Sequence, residues 1–284
     1  MIEKILLADS GAGNTEAMMK VLMEIPLIQR ATITVLHVVP SQVSAEDMTA
    51  KWELGGRTLA EAINTLNLDP THVTAMLREG DPKDVVVNVA NETDADLIIM
   101  GSRGLKGLKA ILDNSVSQYV FQLSSRPMLL VKDDLYSIRP VKRVMIAMDK
   151  SDSAQEGLKL GINLLRDVSD SELLLVHSVS NLKSRPFDET ESDPKQDPVL
   201  IHAAAEAKRY GIKTVLAAPE GKAGRRMCQL AEDKNVDLII LGSPDRRPSI
   251  AKGLPDLDRL LGESLSDYVR VYTPCPVLLT RLSA

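Results

Sequence analysis

Two apolar runs that each end in a glycine loop, LIIMGSRG at residues 97–104 and LIILGSPD at 238–245, constrain this chain more than any other feature. They recur at a fixed offset: Gly242 minus Gly101 is 141, and Gly221 minus Gly80 is also 141. A strand, glycine loop and helix repeated at such a period marks a duplicated, nucleotide-sized α/β domain. At 284 residues the chain accommodates two domains of about 140 residues each. The boundary is placed between 1–138 and 139–284.

The two halves read in parallel. KILLAD (4–9) and RVMIAMD (143–149) are apolar runs that each end in an aspartate, as suits strands buried on both faces of a parallel sheet. Helical spacing follows in NTEAMMKVLMEI, capped by Asn14 or Thr15, and in SDSAQEGLKLGINLL, capped by Ser151. Second strands lie at 31–39 and 172–179, with His37 and His177 at an offset of 140. Third strands HVTAMLREG and IKTVLAAPEG, helices PKDVVVNVANET and KAGRRMCQLAEDK, and the glycine-loop strands come next. Each half closes with a helix and a last strand, RPMLLVK (126–132) or CPVLLTR (275–281). Alternating strands and helices imply right-handed crossovers and a parallel, doubly wound sheet. Residues 40–56, with the only tryptophan, Trp52, have no settled assignment; 180–198 reads as a charged mobile loop and 133–141 as a linker. Pro276 minus Pro127 is 149, so the second half carries 8 extra residues (149 − 141) just after its glycine loop.

A net charge of −5 and a pI near 5.5 argue against a general nucleic-acid binder. MIEKILLAD enters a strand without the basic stretch of a signal peptide, and no run approaches a membrane span. Cys228 and Cys275 have no CxxC neighbour, which points to two thiols in a reducing cytoplasm and no metal site. The histidines sit within apolar strands and read as strand-end or core residues.

GxxxxGK[ST], an early GxGxxG, GxSxG and HExxH are all missing. What remains is Gly101-Ser102-Arg103-Gly104, nine residues, then Asn114-Ser115. Glycines let backbone N–H groups approach phosphate oxygens, and a helix start at Asn114-Ser115 would favour an anion. Arg103, Lys106 and Lys109 add positive charge. A lone GxxG serves equally as a strand-to-helix turn with a polar cap.

The joint pattern resembles the universal stress protein family, in particular its ATP-binding branch, whose loop reads G-x2-G-x9-G-[S/T]. The resemblance rests on the first-strand aspartate, LHVV, REGDP, GSRG, SVSQYV and the closing RPMLLV or CPVLLT strands, and it covers nearly the whole chain as two tandem copies. It implies α/β architecture: two tandem Rossmann-like domains, each a five-stranded parallel sheet with helices on both faces, of the adenine-nucleotide α-hydrolase-like kind. It also implies stress-linked binding of adenine nucleotide, ATP or ADP or AMP, with magnesium as a companion ion, and no fixed reaction. The first site would comprise Ala8, Asp9 and Ser10 at the first-strand tip, with Asp9 near adenine and ribose, and Val39 meeting adenine through its backbone. Met100, Gly101, Arg103 and Gly104 would form the phosphate loop, with Asn114, Ser115, Val116 and Ser117 at the following helix.

Asn114 stands where the family has glycine. The second half departs further: Gly242 remains, but Asp245 and Glu263 replace the other glycines and would repel a triphosphate. Its counterpart site is Asp149, Ser151, Val179, Gly242, Ser264 and Ser266, suited to a smaller nucleotide. Arg246, Arg247 and Lys252 of the insertion either hold a phosphate or lie in solvent. Three functions stand open: a cytoplasmic nucleotide-dependent regulator bound mainly in the first half, a scaffold that binds none, or a slow ATPase. The closing apolar edge strands suggest that the halves pair as an internal pseudo-dimer, with a homodimer and unknown protein partners also open. Gly104→Asp places at 104 the residue type found at 245; it is expected to weaken ATP binding at least about tenfold in calorimetric titration, because a carboxylate crowds and repels the phosphates.

Overall fold

The computed structural model describes residues 2–9, 16–41, 44–67, 69–102, 116–132, 139–178, 193–243 and 265–281. The chain divides into two compact units, the first running to Ile138 and the second beginning at Arg139.

The first unit contains strands β1 (Lys4–Asp9), β2 (Thr32–Val39), β3 (Val73–Glu79), β4 (Leu97–Ser102) and β5 (Met128–Lys132). Helices α1 (Glu16–Met23), α2 (Pro26–Gln29), α3 (Ala45–Leu66), α4 (Pro82–Glu92) and α5 (Val116–Leu123) connect them. All strand pairs are parallel and the order is β3-β2-β1-β4-β5. Ile5, Leu6, Leu7, Ile98 and Ile99 are almost completely buried, which explains why these central strands read as unbroken apolar runs. The edge strand β3 is mostly half-buried or exposed. The segment left unassigned at 40–56 turns into α3, started by Ser44, whose Oγ accepts the Asp47 N–H at 3.1 Å. Gly55 lets α3 close on the sheet: a Cβ there would lie 2.8 Å from Val39 Cγ2.

The second unit contains β6 (Arg143–Ala147), β7 (Glu172–Val176), β8 (Lys213–Ala217), β9 (Leu238–Gly242) and β10 (Val277–Thr280). Its helices are α6 (Asp152–Leu165), α7 (Pro198–Lys208), α8 (Ala223–Asp233) and α9 (Leu265–Tyr272), with a 3-10 turn at Pro194–Gln196. The order β8-β7-β6-β9-β10 and parallel pairing repeat those of the first unit. Several strands are shorter than the sequence suggests, among them β8, which ends at Ala217 within IKTVLAAPEG. β6 stops at Ala147 rather than 149, because Asp149 Oδ1 accepts the Ser151 N–H at 2.8 Å and turns the chain into α6. β7 stops at Val176 rather than 179. Ser151 is the cap of α6, its Oγ accepting the Ala154 N–H at 3.2 Å. Leu158 and Ile162, four residues apart, are then buried on one face of the helix, each side chain contributing about 1.5–3 kcal/mol.

A carboxylate at the foot of the fourth strand anchors the first strand in each unit. Asp96 Oδ2 accepts the Glu3 and Lys4 N–H groups at 2.8 and 3.0 Å, and the Asp96 N–H donates back to the Lys4 carbonyl at 2.8 Å. Asp237 Oδ2 accepts the Lys142 and Arg143 N–H groups at 3.0 and 2.7 Å, and its N–H donates to the Arg143 carbonyl at 2.8 Å. Asp237 also accepts from the Arg139 guanidinium, so it binds the start of the second unit through three donors while its side chain is only 5% exposed. Asp237→Ala would strand these donors and is expected to cost about 2–4 kcal/mol in urea unfolding. Asp96, less buried, should cost less when replaced by alanine.

Candidate functional site

In each sheet the chain runs outward on one side of the first strand and then crosses to its other side for the fourth. The crevice outside the carboxyl ends of those two strands is the switch point where α/β folds hold ligands. In the first unit these ends are Asp9 of β1 and Gly101-Ser102 of β4. Ala8 is paired with Met100, so the register puts Asp9 beside Gly101. Ala8 and Met100 are buried and Asp9 is half-buried. Val116 opens α5, and Ser117 beside it is buried. Ser10, Arg103, Gly104, Asn114 and Ser115 lie outside the described residues, as do Val179 and Ser264 in the second half.

The tip of β2 is engaged in the ladder. Val39 is 2% exposed, and its carbonyl accepts the Gly80 N–H at 3.0 Å. Its backbone therefore faces β3. Because backbone groups of a parallel strand alternate sides, and Thr32 N–H donates to Glu3 of the β1 side, the backbone of Val38 turns toward the β1 tip. Gly80 itself is held at φ +140°, and its counterpart Gly221 at φ +104°, a region L side chains rarely adopt. This conformation explains the glycine at this place in both copies.

His37 Nδ1 lies 3.0 Å from the Asp9 carbonyl and ties the tips of β1 and β2 together. In the second unit His177 takes a different partner, with Nδ1 2.7 Å from Asp197 Oδ2. Asp197 also caps α7, its Oδ1 accepting the Val199 and Leu200 N–H groups at 2.8 and 3.3 Å. Burial pushes this carboxyl up, but the His177 hydrogen bond and the two backbone donors outweigh it and hold it below the usual range. Neither Asp197 nor the strand-foot Asp96 and Asp237 stood out in the sequence. For the last two the signal was an aspartate just before LII at the repeat offset of 141 (237 − 96).

At the second switch point, Asp149, Ser151 and Gly242 share one sheet edge. Asp149 is exposed, and its Oδ1 accepts both the N–H and the hydroxyl of Ser151. Ser266 lies half-buried in α9. A Cβ on Gly242 would lie 2.8 Å from the Ala154 nitrogen and 2.9 Å from the Ser153 carbonyl carbon. The first turn of α6 thus rests directly on the end of β9, and Thr280 Oγ1 secures it by donating to the Ser153 carbonyl at 3.0 Å. Gly242 is required by this packing whether or not a ligand is present. No group of His, Cys, Asp and Glu able to hold a metal ion occurs among the described residues, and none of their helices is long and apolar enough to cross a membrane.

Comparison with known proteins agrees with this architecture. The universal stress protein family model matches residues 1–132 and 140–281. The chain resembles universal stress protein YxiE of Bacillus subtilis, 27% identical over 148 residues that cover 46% of this chain and all of the relative. It also resembles universal stress protein Sll1654 of Synechocystis, 27% identical over 143 residues covering 49% of this chain and 84% of that one. Among solved structures, a universal stress protein from Archaeoglobus fulgidus superposes with a TM-score of 0.74 at 20% identity, covering 98% of this chain and 96% of that chain. Gly242→Ala is expected to cost about 1–3 kcal/mol in thermal or urea unfolding of the ligand-free protein, since backbone atoms must shift. Two tandem segments that account for almost all of the sequence place the chain in the universal stress protein family.

Proposed function

We propose that this protein binds adenine nucleotide, ATP or ADP or AMP, mainly in its first half, and regulates a stress response according to the nucleotide it holds. The observation that supports this reading is the meeting of Asp9 with Gly101 at the switch point, where the sequence continues into a second glycine and a helix start. Family membership supports the stress-linked role. Magnesium would accompany the triphosphate. Enzymatic turnover beyond slow ATP hydrolysis is not part of the proposal, because no nucleophile paired with a general base can be named at this edge. A cytoplasmic location and internal pairing of the two halves complete it on the strength of the sequence.

One observation favours the scaffold reading for the second half. Gly242, the conspicuous remnant of its loop, has a packing duty that makes its presence independent of phosphate. The test is to purify the full chain without added nucleotide, denature it, and identify released small molecules by mass spectrometry. An adenine nucleotide approaching one equivalent, greatly reduced by Gly104→Asp, is the expected result. A ligand-free chain that also takes up no added ATP, ADP or AMP in titration refutes the proposal.

A further inference from the structure

Helices α8 and α9 of the second unit repeat α4 and α5 of the first, position for position. Pro82–Glu92 and Ala223–Asp233 differ by 141 (223 − 82), and Val116–Leu123 and Leu265–Tyr272 by 149 (265 − 116). Helix α5 packs on α4, and α9 on α8. The chemistry of the face they form does not repeat. In the first unit Asp81 caps α4, its Oδ1 accepting the Lys83 N–H at 2.9 Å, and Asp84 follows in the first turn. Their counterparts are Lys222 (81 + 141) and Arg225 (84 + 141), and the Lys222 side chain makes no cap hydrogen bond. Arg226 takes the place of Val85 (85 + 141). Cations at a helix N-terminus oppose its dipole, so these residues do not serve the helix itself.

The neighbouring aromatic changes with them. Tyr119 of α5 is engaged within its own unit: its hydroxyl donates to Asp84 Oδ1 at 3.1 Å, and Lys83 Nζ lies 5.6 Å from the ring centroid. Tyr268 (119 + 149) loses both contacts, because Arg225 stands for Asp84 and Gly224 for Lys83. Its ring lies against the first turn of α8, where a Cβ on Gly224 would be 2.8 Å from Tyr268 Cδ1, and stacks on Tyr272 with centroids 4.4 Å apart. Leu265, Tyr268 and Tyr272 share one side of α9 at i, i+3 and i+7. Leu265 is 39% and Tyr272 45% exposed, whereas Val116 and Leu123, at the same places in α5, are half-buried. The second unit therefore presents an uncovered apolar stripe about 10 Å long. Lys222 and Arg225 stand exposed beside it, while Arg226 is held back by its Nε, which donates to the Glu220 carbonyl at 2.9 Å.

We propose that this α8–α9 face docks an acidic segment of a partner protein, whose carboxylates meet Lys222 and Arg225 while an apolar or aromatic residue lies along Leu265, Tyr268 and Tyr272. Charge complementarity selects the occupant. Exposed cations over the positive end of a helix attract carboxylates and repel a basic segment. Tyrosine and arginine are also the residue types that anchor protein interfaces. A nucleic acid needs a longer basic face than this pair of cations provides, on a chain whose net charge is −5. The first unit is not equipped for the same partner, since it carries Asp81 and Asp84 there and keeps Tyr119 engaged. The docking surface does not depend on nucleotide binding.

The test selects binders from a random peptide library on the immobilised full-length chain, then measures the recovered peptides, fluorescently labelled, by anisotropy. The expected peptides carry aspartate or glutamate beside leucine or an aromatic residue, and their binding weakens as salt is raised. Affinity should fall at least about tenfold in Arg225→Asp, which restores the charge of Asp84, and in Tyr272→Ala. Both positions are exposed, so melting curves like that of the wild type are expected. Lys222→Asp, which restores the cap residue of the first unit, is the second charge variant if Arg225→Asp melts early. Recovery of no acidic peptides overturns the proposal, as do acidic peptides that bind the charge variants and Tyr272→Ala as tightly as the wild type. Labelled oligothymidylate that binds the wild type more tightly than the peptides and is lost in Arg225→Asp assigns the face to nucleic acid instead. Self-association in sedimentation that is lost in the same variant assigns it to a second copy, and either result overturns the acidic partner.

Discussion

The carboxylate at the foot of the fourth strand is the contact on which the alignment of each unit depends. Asp96 and Asp237 each accept two successive backbone N–H groups from the start of the first strand and return a donor to it. A parallel sheet has no tight turn to set its register, because its strands are joined by long crossovers. A short charge-assisted clamp between strands more than 90 residues apart supplies what a hairpin loop would. Once the feet are aligned, the tips follow at 3.3 Å or so per residue, and the groups that meet at the switch point are determined. In the second unit the same carboxylate also receives Arg139, so the clamp marks where that unit begins.

Close packing at the tips accounts for several glycines that resemble a ligand motif. Gly55 admits Val39, and Gly242 admits the first turn of α6. Gly80 and Gly221 adopt positive φ at the turn before the next helix. Glycine at such places satisfies steric and conformational demands before any phosphate is considered. The asymmetry of the two halves lies instead in groups that packing does not dictate: the exchange of Asp81 and Asp84 for Lys222 and Arg225, and the change of histidine partner from the Asp9 carbonyl to Asp197.

The strand and helix order of both units was legible because apolar runs of four to six residues alternate with helical periodicity, and because the pattern occurs twice. The cap at Ser151 was legible for the same local reason, since a short polar side chain before a helix satisfies its first N–H groups. Helix α3 was not, because its long, polar, mostly exposed face carries a weak apolar stripe and two glycines. The ends of β6 and β7 were placed too late, because apolar composition continues past the point where hydrogen bonding stops.

A duplicated α/β chain, its family resemblance and the strand tips that carry its polar groups follow from local periodicity and repetition along the sequence. Which residues of the two copies are equivalent is set by the hydrogen-bonded register of the folded sheet. Asp9 and Asp149 both end an apolar run, and their offset of 140 falls between the 139 that relates Lys4 to Arg143, which receive the Asp96 and Asp237 N–H groups, and the 141 of the glycine loops. Spacing along a chain cannot resolve one residue among such offsets. The Asp96 and Asp237 clamps can, because a hydrogen bond across 2.7–3.0 Å admits one register and excludes its neighbours.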